Sequence, residues 1–152
     1  MPIPITTEIN MTTRPQYETQ SDLNNEQQTI NAFCSKYNYS YKKLPIRYKL
    51  DFATFRPSKE LAGFVEVKCR KFSWSQFPTL ILALDKITAM QQALDLGIKS
   101  ILLLRNQDGI FFWKYDPQNI HSIKWGGRSI SPRDNQDEEP VAHIHKDAFC
   151  TF

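Results

Sequence analysis

Cysteine is scarce and scattered in this chain. Cys34, Cys69 and Cys150 form no CxxC pair, and an odd, widely spaced set indicates neither a disulfide framework nor a structural zinc site, which fits a reducing cytoplasm. Glycine is equally thin at five residues in 152, with no glycine-rich phosphate loop, no nucleophile elbow and no Cys/His pair in a supporting context. Nucleotide hydrolysis and acyl transfer therefore have no residues to run on. Long apolar runs are missing: Leu80 to Leu84 and Ile101 to Leu104 are far too short to span a bilayer. The stretch Met1 to Thr6 carries neither a basic start nor an apolar core, so the expectation is a soluble, cytoplasmic protein with no membrane partner. Of three histidines, His143 and His145 share a strand face and His121 is a candidate third, but this spacing lacks the pattern of a closed zinc site.

A hydrophobic content of 41% in 152 residues suffices for one domain with a real core. Residues 1–20 are Thr- and Pro-rich without periodicity and read as a loosely packed arm ahead of a single domain over 21–152. Net charge is only +3, yet residues 41–71 hold nine Lys or Arg against Asp51, Glu60 and Glu66. That clustering favours a phosphate-rich partner, with an ordinary basic surface as the alternative. Lys42, Lys43, Lys49, Arg70 and Lys71 are the candidate nucleic-acid contacts. Tyr37 to Lys43 interleaves aromatics with cations, either to stack on bases and grip phosphates or as an exposed connecting loop.

The densest chemistry lies in two short segments. Residues 48–55 and 62–69 are rich in aromatic and β-branched residues, and Arg56 to Glu60 between them supplies turn chemistry. They read as an antiparallel hairpin in which positions summing to 117 face each other, so Asp51 opposes Glu66, Lys49 opposes Lys68 and Ala53 opposes Phe64. Side-chain alternation then puts Lys49, Asp51, Glu66 and Lys68 on one face, and Tyr48, Leu50, Phe52, Val65, Val67 and Cys69 on the other, core face. Two opposed carboxylates repel. A divalent cation offsets that repulsion, and Mg²⁺ is commonly held by one or two carboxylates with water and substrate phosphate. Lys68, pointing the same way, is suited to hold a water or the charge developing on phosphorus. The bland alternative is a solvated strand face.

Flanking elements follow from periodicity. Asn24 with Gln27 forms a capping box for a helix to about Lys36, with the stripe Ile30, Phe33, Cys34 and Tyr37. Glu26 falls on that stripe, either as a first-turn charge favourable to the helix dipole or as an acid aimed at the site. Pro78 opens a second helix that runs to Gly97, with Leu80, Ala83, Leu84, Ile87, Met90 and Leu94 on one face. Gln91 lies within that stripe and Lys86 on its edge, both placed to project toward the catalytic edge; for Lys86 the other reading is a snorkelling rim lysine. Ile101 to Arg105 and Ile110 to Tyr115, joined by Asn106 to Gly109, make a second hairpin whose first strand is apolar enough to be central. Ile120 to Trp125 and Val141 to His145 read as strands separated by Gly126, Gly127, Arg128 and a polar loop ending at Pro140. Arg128 either contacts phosphate or caps a turn.

In this order, helix, acid-bearing hairpin, helix and strand, the chain resembles the PD-(D/E)XK nuclease superfamily, and in particular its small phage-encoded members. The resemblance covers about residues 15–145. Asp51 matches the first motif acid, Glu66 and Lys68 the ExK element, and Glu26 the acid that some members carry in the first helix. Leu50 stands where proline often precedes the first acid. The resemblance implies an α/β restriction-endonuclease-like core, a central mixed sheet flanked by helices in αβββαβ order, here with a C-terminal β extension. It also implies a Mg²⁺-dependent DNA nuclease of phage or mobile-element origin, acting in DNA processing, recombination or repair, with Mn²⁺ able to substitute and a 5′-phosphate left after the cut. Asp51, Glu66 and the Val67 carbonyl would bind metal, Lys68 would serve catalysis, and Glu26, Gln91 and Lys86 would support them. A homodimer would let two sites cut two strands together. The rival reading is a non-catalytic nucleic-acid-binding module on the same fold, and a third is a protein-interaction factor that binds no DNA.

Overall fold

Thr19 starts the first helix. In the computed structural model, which describes residues 19–127 and 138–152, its Oγ1 accepts from the Asp22 N–H at 3.1 Å, and Asp22 Oδ2 accepts from the Thr19 N–H at 3.1 Å. This capping box lies five residues ahead of the Asn24/Gln27 box expected from sequence, because an aspartate closes it where Glu or Gln is the usual signature. Helix α1 (Gln20–Tyr37) ends at Asn38, which takes the left-handed conformation at φ 59°. Thr29, Ile30, Phe33 and Cys34 form its buried stripe, and burial pushes the Cys34 thiol up to about 11. Residues 1–18, and Arg128 with most of its polar loop, lie outside the described residues.

Tyr39 to Lys43 is not a connecting loop. Strand β1 (Ser40–Lys43) pairs antiparallel with β2 (Phe52–Phe55), and Tyr39 and Tyr41 pack against the α1 side of the core. Between β1 and β2 the chain makes a 3-10 turn over Ile46–Tyr48 and a left-handed residue at Lys49, φ 62°. The expected register holds from residue 52 to 54, where Phe52 faces Val65, Ala53 faces Phe64 and Thr54 faces Gly63 in β3 (Leu61–Cys69), and slips by one residue at Phe55, which faces Leu61. It fails before residue 52. The turn takes Lys49 out of the sheet, so it does not oppose Lys68, and Tyr48 is exposed. Leu50 is buried with Leu102 and Leu104, away from Val65 and Val67, where simple alternation had placed it.

The second correction concerns residues 79–83. These form strand β4 (Thr79–Ala83), and helix α2 is confined to Leu84–Asp95. Apolar spacing suits both readings there, but Leu80 and Leu82 are buried while Ile81 is exposed, a period of two that α2 abandons. Gly97 at φ 82° follows the helix as its stop. Strand β5 (Ser100–Asn106) is central as expected, with Leu102, Leu103 and Leu104 inaccessible to solvent. It turns tightly into β6 (Gly109–Lys114), with Asn106 paired to Gly109.

The main sheet has strand order β1-β2-β3-β5-β6-β9, where β9 is Cys150–Thr151, and only β3 and β5 run parallel. A smaller antiparallel sheet, β4-β8-β7, joins β7 (Ser122–Gly127) and β8 (Glu138–His145) to β4. Glu138 to Pro140 thus belong to a strand, not to the preceding loop. Pro140 is tolerated because β4 pairing stops at Val141, so no partner needs the missing N–H.

Alternation along β5 sorts the core into two layers. Leu103 joins Val65, Val67, Phe52 and the α1 stripe; Leu102 and Leu104 face α2, Trp113 and the small sheet. The architecture is the expected one, a central mixed sheet flanked by helices with a C-terminal β extension. Because both faces are covered, the strand that carries Glu66 is buried on both sides.

Candidate active site

Strand β3 positions Glu66 on the α2 face beside Leu102, where the side chain is 2% exposed. A carboxylate in such a place is costly unless paired. Lys68, two residues along the same face, brings its Nζ to 3.3 Å from Glu66 Oε2, and Lys86 on the first turns of α2 brings its Nζ to 3.4 Å from the same oxygen. Both cations address Oε2. Oε1 is buried without a hydrogen-bond partner among the described residues. Burial pushes the Glu66 carboxyl up to about 7; Lys68 opposes that rise, Asp51 adds to it, and Lys86 opposes it more weakly.

Asp51 reaches the site from the other strand. It precedes β2 by one residue, its N–H donates to the Val65 carbonyl at 3.1 Å, and its Oδ2 accepts from the Val67 N–H at 2.8 Å. The side chain has replaced the backbone partner that β2 would have offered Val67 had it continued. In an extended strand the N–H and C=O of one residue point to the same side, so the Val67 carbonyl faces this gap as well. Asp51 Oδ1 lies 3.6 Å from Lys43 Nζ, which is also ion-paired with Glu26.

The structure therefore brings together most of the residues singled out from sequence. Glu26 lies in the second turn of α1, since the helix starts at Gln20, so the first-turn dipole reading falls and the acid pairs with Lys43, which also approaches Asp51. Lys86 is no rim lysine: besides Glu66 it donates to the Lys49 carbonyl. Gln91 stands apart, with its amide held by Asp95 Oδ1 at 2.9 Å and the Tyr115 hydroxyl at 2.7 Å. Of the candidate nucleic-acid contacts, Lys42, Lys43, Lys49, Arg70 and Lys71 are all exposed, and Lys43 also belongs to the acidic cluster. That role was hidden because β1 reads as a loop. In the small sheet, His143 Nδ1 meets Thr79 Oγ1 at 3.3 Å and His145 Nδ1 accepts from the Asp147 N–H, with burial lowering the His143 pKa.

The donor set fits a hard divalent cation. Glu66 Oε1, orphaned and buried, and the Asp51 carboxylate are oxygen donors of the kind Mg²⁺ takes, with water completing the shell. Among the described residues no group of three or more His, Cys, Asp or Glu is placed to hold an ion. No helix among them is long and apolar enough to cross a membrane.

Comparison with known proteins bears on this geometry. No curated protein matches the sequence. The solved structure of Archaeoglobus fulgidus Hjc, a Holliday junction resolvase from an archaeal hyperthermophile, is similar at a TM-score of 0.47 and 14% identity, covering 80% of this chain and 88% of that one. A family model described as "Phage putative PDDEXK endonuclease" matches residues 12–152, which include Asp51, Glu66 and Lys68. The chain belongs to this family of phage PDDEXK endonucleases, and with it to the PD-(D/E)XK nucleases.

Proposed function

We propose that this nuclease hydrolyses phosphodiester bonds in DNA with the help of Mg²⁺, Mn²⁺ substituting, at a site made of Asp51, Glu66, the Val67 carbonyl and Lys68. The observation that carries this reading is the buried Glu66 carboxylate with one satisfied and one orphaned oxygen, beside a second carboxylate fixed by a backbone N–H. Such an arrangement is unfavourable by itself and becomes favourable around a cation. When bound, the ion would polarise the scissile phosphate and lower the pKa of a water.

The chain's own residues have distinct tasks. Glu66 presents its oxygens from β3, and Asp51, one residue ahead of β2, is held beside it by its bonds to the Val65 carbonyl and the Val67 N–H. Lys68 stands beside Glu66, placed to orient the attacking water and to neutralise charge as phosphorus becomes five-coordinate. Lys86 holds Glu66 Oε2 and the Lys49 carbonyl together, which ties α2 to the turn ahead of Asp51. Glu26 fixes Lys43 next to Asp51.

The test is incubation of wild type and Lys68→Ala with linear, nicked, branched and single-stranded DNAs in Mg²⁺, Mn²⁺ and EDTA. Cleavage by wild type alone, abolished by EDTA, is expected. Equal activity of the two proteins would assign the cutting to a contaminant or to another site. Intact DNA throughout, with Asp51→Ala binding as tightly as wild type, would favour the non-catalytic binding module.

A further inference from the structure

The turn over Ile46–Lys49 meets the site above only through the Lys49 carbonyl, and its four residues are exposed to solvent. Ile46 is 60% and Tyr48 46% exposed, and the Arg47 guanidinium lies 5.0 Å from the centre of the Tyr48 ring. Large apolar groups left in water, with a cation stacked on one of them, are what single-stranded nucleic acid is bound by. The turn is also held firmly. Lys49 takes the left-handed conformation and its carbonyl accepts from Lys86, the residue that contacts Glu66.

Behind the turn, against α2, lies a groove of about 580 Å³. Leu50, Phe64 and Ala89 form an apolar floor, while Gln92 and Asp85 supply polar groups from α2 and Arg47 and Lys49 line the opposite side. This segregation of charge distinguishes occupants. Cations on the turn side suit a phosphodiester backbone, and an apolar floor with a carboxylate and an amide suits the faces and hydrogen-bonding edge of a nucleobase. Lys49 is two residues from Asp51, at most about 7 Å along the chain, so a strand held at the acids passes this turn within about one nucleotide.

We infer that the Arg47-Tyr48-Lys49 turn and the groove behind it form a subsite for one unpaired nucleotide of the DNA, adjacent to the scissile phosphate. The inference rests on the nuclease reading and deepens it by naming a substrate class. A base inside a duplex is already stacked on its neighbours and cannot enter the groove without being extruded, whereas a base in a flap, branch or single strand enters at little cost. The subsite therefore selects DNA with unpaired nucleotides beside the cut.

The experiment measures binding separately from cutting. Fluorescence anisotropy in EDTA with a labelled single-stranded oligonucleotide and the fully paired duplex of the same sequence is run on wild type, Tyr48→Ala and Tyr48→Trp. Tyr48→Ala is expected to weaken single-strand binding by about 5- to 150-fold and duplex binding by less than about twofold, and Tyr48→Trp to restore the loss. Equal losses on both DNAs, or none on either, would overturn the subsite. A dimer in size-exclusion chromatography that Tyr48→Ala converts to monomer would assign the groove to a second copy of the chain and overturn it as well. Cleavage of a duplex carrying a single-stranded extension, measured in Mg²⁺, then separates the two claims. If wild type shows the binding preference but cuts nothing, the hydrolase reading fails and the subsite stands.

Discussion

Replacing Glu66 by glutamine should make the metal-free protein more stable at alkaline pH while removing its activity. In the folded chain the Glu66 carboxyl sits at about 7, against 4.5 as its ordinary value. Below about 4.5 the group is protonated in both folded and unfolded chains and costs nothing. Between 4.5 and about 7 the unfolded chain releases the proton while the folded chain keeps it, so stability falls as pH rises; above about 7 the loss is complete. At 1.36 kcal/mol per unit this amounts to about 3 kcal/mol. Glutamine escapes that cost, although Lys68 and Lys86 lose their partner; both are about one-fifth exposed and rehydrate by rotation. The expected gain for Glu66→Gln is about 1–3 kcal/mol at pH 8, read as a rise of about 2–4 °C in Tm per kcal/mol. Urea titrations at pH 5 and pH 8 in EDTA check it, with the gain shrinking at pH 5. Adding Mg²⁺ should then stabilise wild type by about 2.7 kcal/mol at a hundredfold excess over Kd and the variant much less. A variant less stable than wild type at pH 8 in EDTA, or an advantage that is the same at both pH values, would refute the reasoning.

Other perturbations follow from particular contacts. Thr19→Ala removes the α1 cap and should cost about 1 kcal/mol in urea unfolding, leaving cleavage rates unaltered. Gly63→Ala would put a Cβ 2.7 Å from the Lys99 carbonyl at the start of the β3–β5 ladder, and a loss of about 1–3 kcal/mol is expected from the same measurement. Lys86→Met keeps the length of the side chain but drops its ion pair with Glu66 and its hydrogen bond to the Lys49 carbonyl; if Lys86 positions Glu66 and the turn, the pH profile of cleavage should shift to higher pH with the fold retained by circular dichroism. Asp51→Asn should abolish cleavage while single-strand affinity in EDTA is unchanged or improved, as one negative charge facing the phosphates is gone.

The hairpin register was legible because Phe52, Val65 and their neighbours alternate cleanly and the turn at 56–60 is marked by proline. Glu66 and Lys68 could be placed on one face from that, whereas Asp51, one residue outside the ladder, is brought beside them by its own bonds to Val65 and Val67. What sequence could not show is that Glu66 is buried, since its face is covered by α2 and the small sheet, elements distant in the chain. The 3-10 turn before Asp51 was invisible for a different reason. Ile46-Arg47-Tyr48 has good strand propensity, and the turn's two local backbone bonds, Tyr48 N–H to the Pro45 carbonyl and Lys49 N–H to the Ile46 carbonyl, are joined by the Lys86 bond to the Lys49 carbonyl from a helix distant in the chain. Residues 79–83 were misread because five apolar-rich residues preceding a helix satisfy its periodicity, and their pairing partner, 141–145, lies some sixty residues on.

The parallel pairing of β3 with β5 has a consequence for how the protein matures. A hairpin closes in microseconds from local sequence, but parallel neighbours meet only after the intervening crossover, here residues 70–99, has found its place. In a chain that has made β2 and β3 alone, Glu66 still lacks the cover of α2 and the small sheet. Lys86 and the apolar cover arrive with the crossover. The surroundings that distinguish Glu66 from an ordinary strand carboxylate are thus completed only once β5 has docked beside β3.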